Sequence, residues 1–110
     1  MANNEKSNNC LMGYGYQIHK RDNFICQYCG YDGRSFDNWR QLTIDHILPQ
    51  SQGGVGNEDN LITSCHNCNS ITSRMDINRH TRKDYIIKQK KAKVEEKLKE
   101  YSDFWKENVE

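Results

Sequence analysis

The chain has 110 residues, of which 35% are hydrophobic and 28% charged, and its formal net charge is +1. That length holds one small domain and an extension, and the near-neutral sum excludes a featureless polycation. So small a hydrophobic fraction predicts a thin core that needs disulfides, a metal or a partner to close it.

Residues 1–13 read as a polar tail, Asn-rich as far as Asn9. Leu11–Lys20 follows, where Leu11, Tyr14 and Ile18 predict one or two helical turns. No apolar run is long enough for a signal peptide or a membrane span, so the expectation is a cytoplasmic protein, prokaryotic or phage-type and not secreted. In a reducing compartment the knuckles Cys26-Gln27-Tyr28-Cys29 and Cys65-His66-Asn67-Cys68 favour a metal over disulfides or a redox pair. Cys10 is the odd one of five and reads as an ordinary free thiol. Four thiolates fill every position of a tetrahedral zinc, so this ion is expected to fold the chain and not to react.

Between the knuckles, Gly30 and Gly33 supply tight backbone, and Leu42–Ile47 alternates as a strand that stops at Pro49. Asp45 and His46 start on opposite faces of that strand and share a site only if the strand ends or bends there. Gln50–Asn60 is a loop rich in Ser, Gly and Asn. Leu61-Ile62-Thr63 is a second strand pairing back on the first, and a helix from the second knuckle runs through Asn69 toward Asp76. Arg82 to about Asn108 contains no Pro or Gly and predicts one long helix, with Ile87, Val94, Leu98, Tyr101 and Trp105 as its apolar stripe. Its first half, with the segment before it, concentrates Arg74, Arg79, Arg82, Lys83, Lys88, Lys90, Lys91 and Lys93 against only Asp76 and Asp84. Such a local excess attracts a phosphate backbone, although a solvated helix face has the same composition.

Asp45 and Asn69 carry the oxygen donors that a hard divalent cation prefers, and a neutral His46 can take a proton from water. Together these parts suffice for metal-assisted phosphodiester hydrolysis. Taken alone, the dyad also fits a loop-capping carboxylate and a satisfied strand-end histidine.

The string Asp45-His46-Ile47-Leu48-Pro49-Gln50-Ser51-Gln52-Gly53-Gly54, then Asn60-Leu61, then Cys65-His66-Asn67-Cys68-Asn69, resembles the HNH endonuclease family. It resembles the subtype in which a four-cysteine zinc braces the site, and the likeness runs from about Tyr16 to Asp76. The resemblance implies an α+β fold: a small ββα-metal (His-Me finger) domain over residues 14–80, clamped by Cys26, Cys29, Cys65 and Cys68, with an amphipathic helix over 81–110. It implies that Asp45 and Asn69 hold a catalytic Mg²⁺ or Mn²⁺, that His46 is the general base, and that Asn60 pins the loop and orients the histidine. It departs from the family at Ser73, where some members have a third ligand histidine, and at Thr72, near which many have a lysine. His66, between two cysteines, reads as a bystander.

The expected substrate is duplex DNA, contacted by Arg74, Arg79, Arg82, Lys83 and Lys88, and either nicked or cut through both strands. The aromatic end of the last helix predicts a homodimer, a larger protein partner, or a cover for its own domain. The competing reading is a catalytically inactive, zinc-stabilised module that binds nucleic acid or protein.

Overall fold

A computed structural model describes residues 15–110. Cys10, Leu11 and Tyr14 lie outside the described residues. The elements are helix α1 (Tyr16–Arg21), the short helix α2 (Phe36–Trp39), strand β1 (Leu42–His46), strand β2 (Leu61–Cys65), helix α3 (His66–Thr72) and the 26-residue helix α4 (Lys83–Asn108). The expected strand–loop–strand–helix order is present. The strand after the loop is longer than predicted and ends on Cys65, while the helix that follows stops at Thr72, short of Asp76. The sequence reading missed α2, a single turn capped by the Ser35 side chain on the Asn38 amide.

β1 and β2 form an antiparallel pair with Asp45 opposite Ile62 and His46 opposite Leu61. The 47–60 connection contains two single 3₁₀ turns, Gln50–Gln52 and Glu58–Asn60. Asn60 organises it. Its backbone carbonyl accepts from the Ile47 amide at 2.8 Å, its side-chain oxygen accepts from the Leu48 amide at 2.9 Å, and its amide nitrogen donates to the Leu48 and Val55 carbonyls. Asn60 is buried, so a full complement of partners is what permits it there. Gly54 is required by the same arrangement, because a Cβ on it would collide with the Leu48 carbonyl.

The core gathers around the cysteines. Cys26, Tyr28, Ile47, Ile62, Cys68 and Ile71 bury together with Ile77, Ile86 and Val94. α1 lies on β2, and α3 packs against both strands and α4. Asp22, at the end of α1, accepts the Thr63 amide at 2.8 Å and so ties the helix to β2. Beside it, buried His19 sits 3.0 Å from the Thr63 hydroxyl.

α4 departs from the predicted stripe. Its buried positions are Ile86, Lys90 and Val94, four residues apart, whereas Leu98, Tyr101 and Trp105 are exposed. At 1.5 Å per residue the helix is about 39 Å long and outruns the small face on which its first half packs. Among the described residues no helix is long and apolar enough to cross a membrane.

Candidate active site and metal centre

The first knuckle reverses direction through Gly30, at φ 82°, whose amide donates to the Cys26 carbonyl at 2.9 Å. The second straddles an element boundary: Cys65 ends β2 and caps α3, its sulfur accepting from the Cys68 amide at 3.4 Å. The Gln27 amide bonds the Thr63 carbonyl, which fastens the first knuckle beside the second. All four Sγ atoms consequently lie within 4.8 Å of one another. Cys29 and Cys65 are 3.9 Å apart, too far for a disulfide and close to the ~3.8 Å edge of a tetrahedron with 2.3 Å metal–sulfur bonds. The set fits a four-thiolate ion.

The thiols do not ionise alike. Hydrogen bonds from Cys65 and Cys68 hold Cys26 far below the usual thiol range, so the first thiolate forms there. Serving as donors to Cys26 and Cys65, and burial, push Cys68 strongly up. Burial, with the neighbouring Cys26 charge, pushes Cys29 up to about 11. A cation that gathers all four must expel protons as it binds.

The Asp45-His46 dyad sits at the last two positions of β1, and the chain bends immediately after it. Asp45 faces the core. Its Oδ2 accepts the Tyr28 hydroxyl at 2.6 Å and the Lys90 ammonium at 2.8 Å. Burial, then the adjacent Asp45 charge, raises the Tyr28 phenol well beyond the ordinary range, so it remains a donor. His46 faces the other way, half-buried, and its ring has no hydrogen-bond partner among the described residues. Its carbonyl accepts a second bond from Lys90, at 2.9 Å. Asn69 lies half-buried in the second turn of α3, with its side-chain amide unbonded among the described residues. The packing of α3 on β1 places the Asn69 helix beside the Asp45-His46 strand, and Asn60 holds the turn between the strands. Ser73, where a third ligand was sought, is exposed and bonds the Ser70 carbonyl.

The basic residues separate into two groups. Arg82 and Lys83 are engaged by Asp84 at 3.0 Å and Asp59 at 3.3 Å, while Arg74, Arg79 and Lys88 are exposed and have no ion pair among the described residues. Arg74 borders a cleft of about 720 Å³ between the end of α3 and α4, with Lys93 and Lys97 on its other wall. Lys90 does not belong to the exposed basic face at all: its side chain is 2% exposed.

Tyr28 and Lys90 were not singled out from the sequence for any role at the dyad. Tyr28 was visible only as the variable residue of a knuckle. Lys90 carried a usable signal, since it lies four residues from both Ile86 and Val94 on the buried stripe of α4.

Residues 26–75 match the family model described as HNH endonuclease. A 55-residue stretch, 49% of the chain, is 40% identical to CRISPR-associated endonuclease Cas9 of Corynebacterium diphtheriae. The stretch spans only 5% of that protein's length. No solved structure matches. The match falls on the clamp, the dyad, the Asn60 turn and α3, and it identifies residues 26–75 of this chain as an HNH endonuclease domain.

Proposed function

We propose that this chain is a metal-dependent endonuclease that hydrolyses DNA phosphodiester bonds, with the four cysteines holding a structural zinc. The observation that carries the reading is the frame around β1. Asp45 and His46 share the strand end, Asn60 locks the turn that follows, and α3 brings Asn69 alongside. Asp45 and Asn69 are the residues that would hold Mg²⁺ or Mn²⁺, both oxygen donors of the kind such ions take. When bound, the ion supplies Lewis-acid stabilisation of a phosphate oxygen and of the departing 3′ oxygen. His46 takes the proton of the attacking water as the water oxygen bonds phosphorus and the P–O3′ bond breaks. Its free ring nitrogens and partial exposure suit that task. The cleft bordered by Arg74, Lys93 and Lys97 offers phosphate contacts beyond the reacting one, with Arg79 and Lys88 outside it.

Supercoiled plasmid treated with zinc-loaded protein and Mg²⁺ or Mn²⁺ should relax or linearise, and His46→Ala should abolish this while keeping zinc and fold. Intact plasmid with every divalent ion tried overturns the nuclease reading. It would leave the inactive binding module, which one observation favours: Lys90 already neutralises Asp45. A homodimer or a larger partner seated on Tyr101, Phe104 and Trp105 belongs to the same proposal, because these side chains are exposed. Light scattering that finds only monomer removes the dimer.

A further inference from the structure

The Asp45 carboxylate is held asymmetrically. Both hydrogen bonds to its side chain from the described residues, from Tyr28 and from Lys90, end on Oδ2. Oδ1 accepts none, yet among the described residues no buried side-chain oxygen lacks a partner. Oδ1 therefore reaches solvent while Oδ2 is locked inward. Lys90 also grips the His46 carbonyl at 2.9 Å, so one ammonium fixes the side chain of the first dyad residue and the backbone of the second. Its own surroundings leave it little freedom: the side chain is 2% exposed, the nitrogen lies 5.8 Å from the Tyr28 ring centre, and Ile86 and Val94 bury on either side of it. A lysine that serves only as a charge on a DNA-facing helix would not be buried beneath that helix.

We propose that Lys90 is a positioning residue of the catalytic centre, which with Tyr28 locks Oδ2 of Asp45 so that Oδ1 faces the divalent ion, and which weakens that ion's binding while aligning it. This rests on Asp45 being the ligand carboxylate. Two opposed effects follow from one group. The ammonium fixes the carboxylate and the strand end, which favours a reactive geometry. Its positive charge also shares the carboxylate with the incoming cation, which lowers affinity. α4, outside the matched segment, thereby becomes part of the centre.

The test measures Mn²⁺ binding by electron paramagnetic resonance and calorimetry, and separately kcat and KM on a labelled duplex, for zinc-loaded wild type, Lys90→Met and Tyr28→Phe. Lys90→Met keeps the unbranched stem of the side chain, one atom shorter, and loses its charge and its hydrogen bonds. It should bind Mn²⁺ about threefold to tenfold more tightly and show a sharper change in the Mn²⁺ spectrum, yet cleave at least roughly tenfold more slowly with KM little changed. Tighter binding with slower cleavage cannot come from a loosened fold, which would weaken both. Tyr28→Phe removes one Oδ2 bond and no charge, so kcat should fall severalfold with Mn²⁺ affinity within about twofold. It decides the matter if Lys90→Met fails to fold. Unchanged Mn²⁺ affinity and kcat in the variants overturn the inference while leaving a cleaving wild type as a nuclease. A wild type that binds Mn²⁺ without cleaving overturns the nuclease reading, and the Lys90→Met affinity shift then judges the inference alone. A wild type with no Mn²⁺ site overturns both.

Discussion

The cysteine cluster and the Asp45 carboxylate are built by opposite means. Each half of the cluster is a four-residue knuckle, and within each the local backbone aims the sulfurs: Gly30 turns the first, and the start of α3 caps on the second. Asp45 draws its partners from Tyr28, 17 residues away, and Lys90, 45 residues away. The first arrangement is set by short-range backbone and fits an ion that would hold its two halves together. The second depends on the whole fold being in place, including the start of α4 as far as Lys90. Local spacing encodes the clamp, while only tertiary packing encodes the grip on the carboxylate.

Breaking the clamp should have the largest effect. Cys65→Ser keeps a side chain that can cap α3 but removes a thiolate from the cluster and sulfur from the core, and a structural zinc contributes about 10 kcal/mol or more to folding in small domains. The expected outcome is loss of cooperative unfolding by circular dichroism, with chelation of wild type giving the same result. In a chain unfolded by chelation the thiols return to the ordinary range of about 8.5 and hold their protons at neutral pH, whereas zinc takes them as thiolates. Zinc loading should therefore release at least two protons and strengthen as pH rises, measured by calorimetry in buffers of different ionisation enthalpy. A chelated protein that keeps its α-helical signal and melts cooperatively would show that the core, not the ion, closes the fold.

Breaking the second arrangement should cost less and leave the clamp intact. Asp45→Asn keeps the shape and the acceptor but strands the Lys90 ammonium, 2% exposed, without a counter-charge. Removing one partner of a buried pair costs about 3 kcal/mol, seen as a lower urea midpoint at unchanged zinc content. A loss under about 1 kcal/mol would mean that water reaches Lys90 readily, and would place the pair among surface ion pairs.

That contrast also explains what was legible. The two strands, the loop between them and the long helix could be read because each is written in neighbouring residues: β-branched alternation, a Gly-rich loop, and an uninterrupted run of helix formers. The far end of β2 could not, and the Asn60 lock was legible only through the family resemblance. The stripe of α4 was misread because Leu98, Tyr101 and Trp105 satisfy helical spacing as well as Ile86 and Val94 do, and only the extent of the domain decides which of them finds a partner. Lys90 was grouped with its basic neighbours because a buried cation and an exposed one look identical in a charge run. Seeing the difference required the carboxylate it meets. Asp45 itself was expected at the site, but its dependence on Tyr28 and α4 was not expected, since neither partner lies in the strand–loop–helix string.

A second carboxylate sharpens the comparison at the smallest scale. Asp22 resembles Asp45 in holding distant backbone, through the Thr63 amide at 2.8 Å, but its cation is the adjacent and largely exposed Arg21. Burial would raise its carboxyl, yet the Arg21 guanidinium and the Thr63 amide and hydroxyl outweigh burial and leave it below the ordinary 3.8. A lowered folded value means that the stabilisation is fully present above the unfolded value and is lost only as pH falls through the folded one. On the proposed reading the clamp's thiols would take up protons as zinc left, and the clamp would give way on the acid side before that window opens. Asp22 should therefore contribute a constant amount wherever the zinc-loaded protein is folded. Asp22→Asn should lower stability by about 1 kcal/mol, with the gap to wild type flat from roughly pH 8 to pH 5. A gap that narrows within that range would show that the Thr63 amide and Arg21 do not hold the carboxyl down, and that α1 is fixed to β2 by the buried His19–Thr63 contact instead.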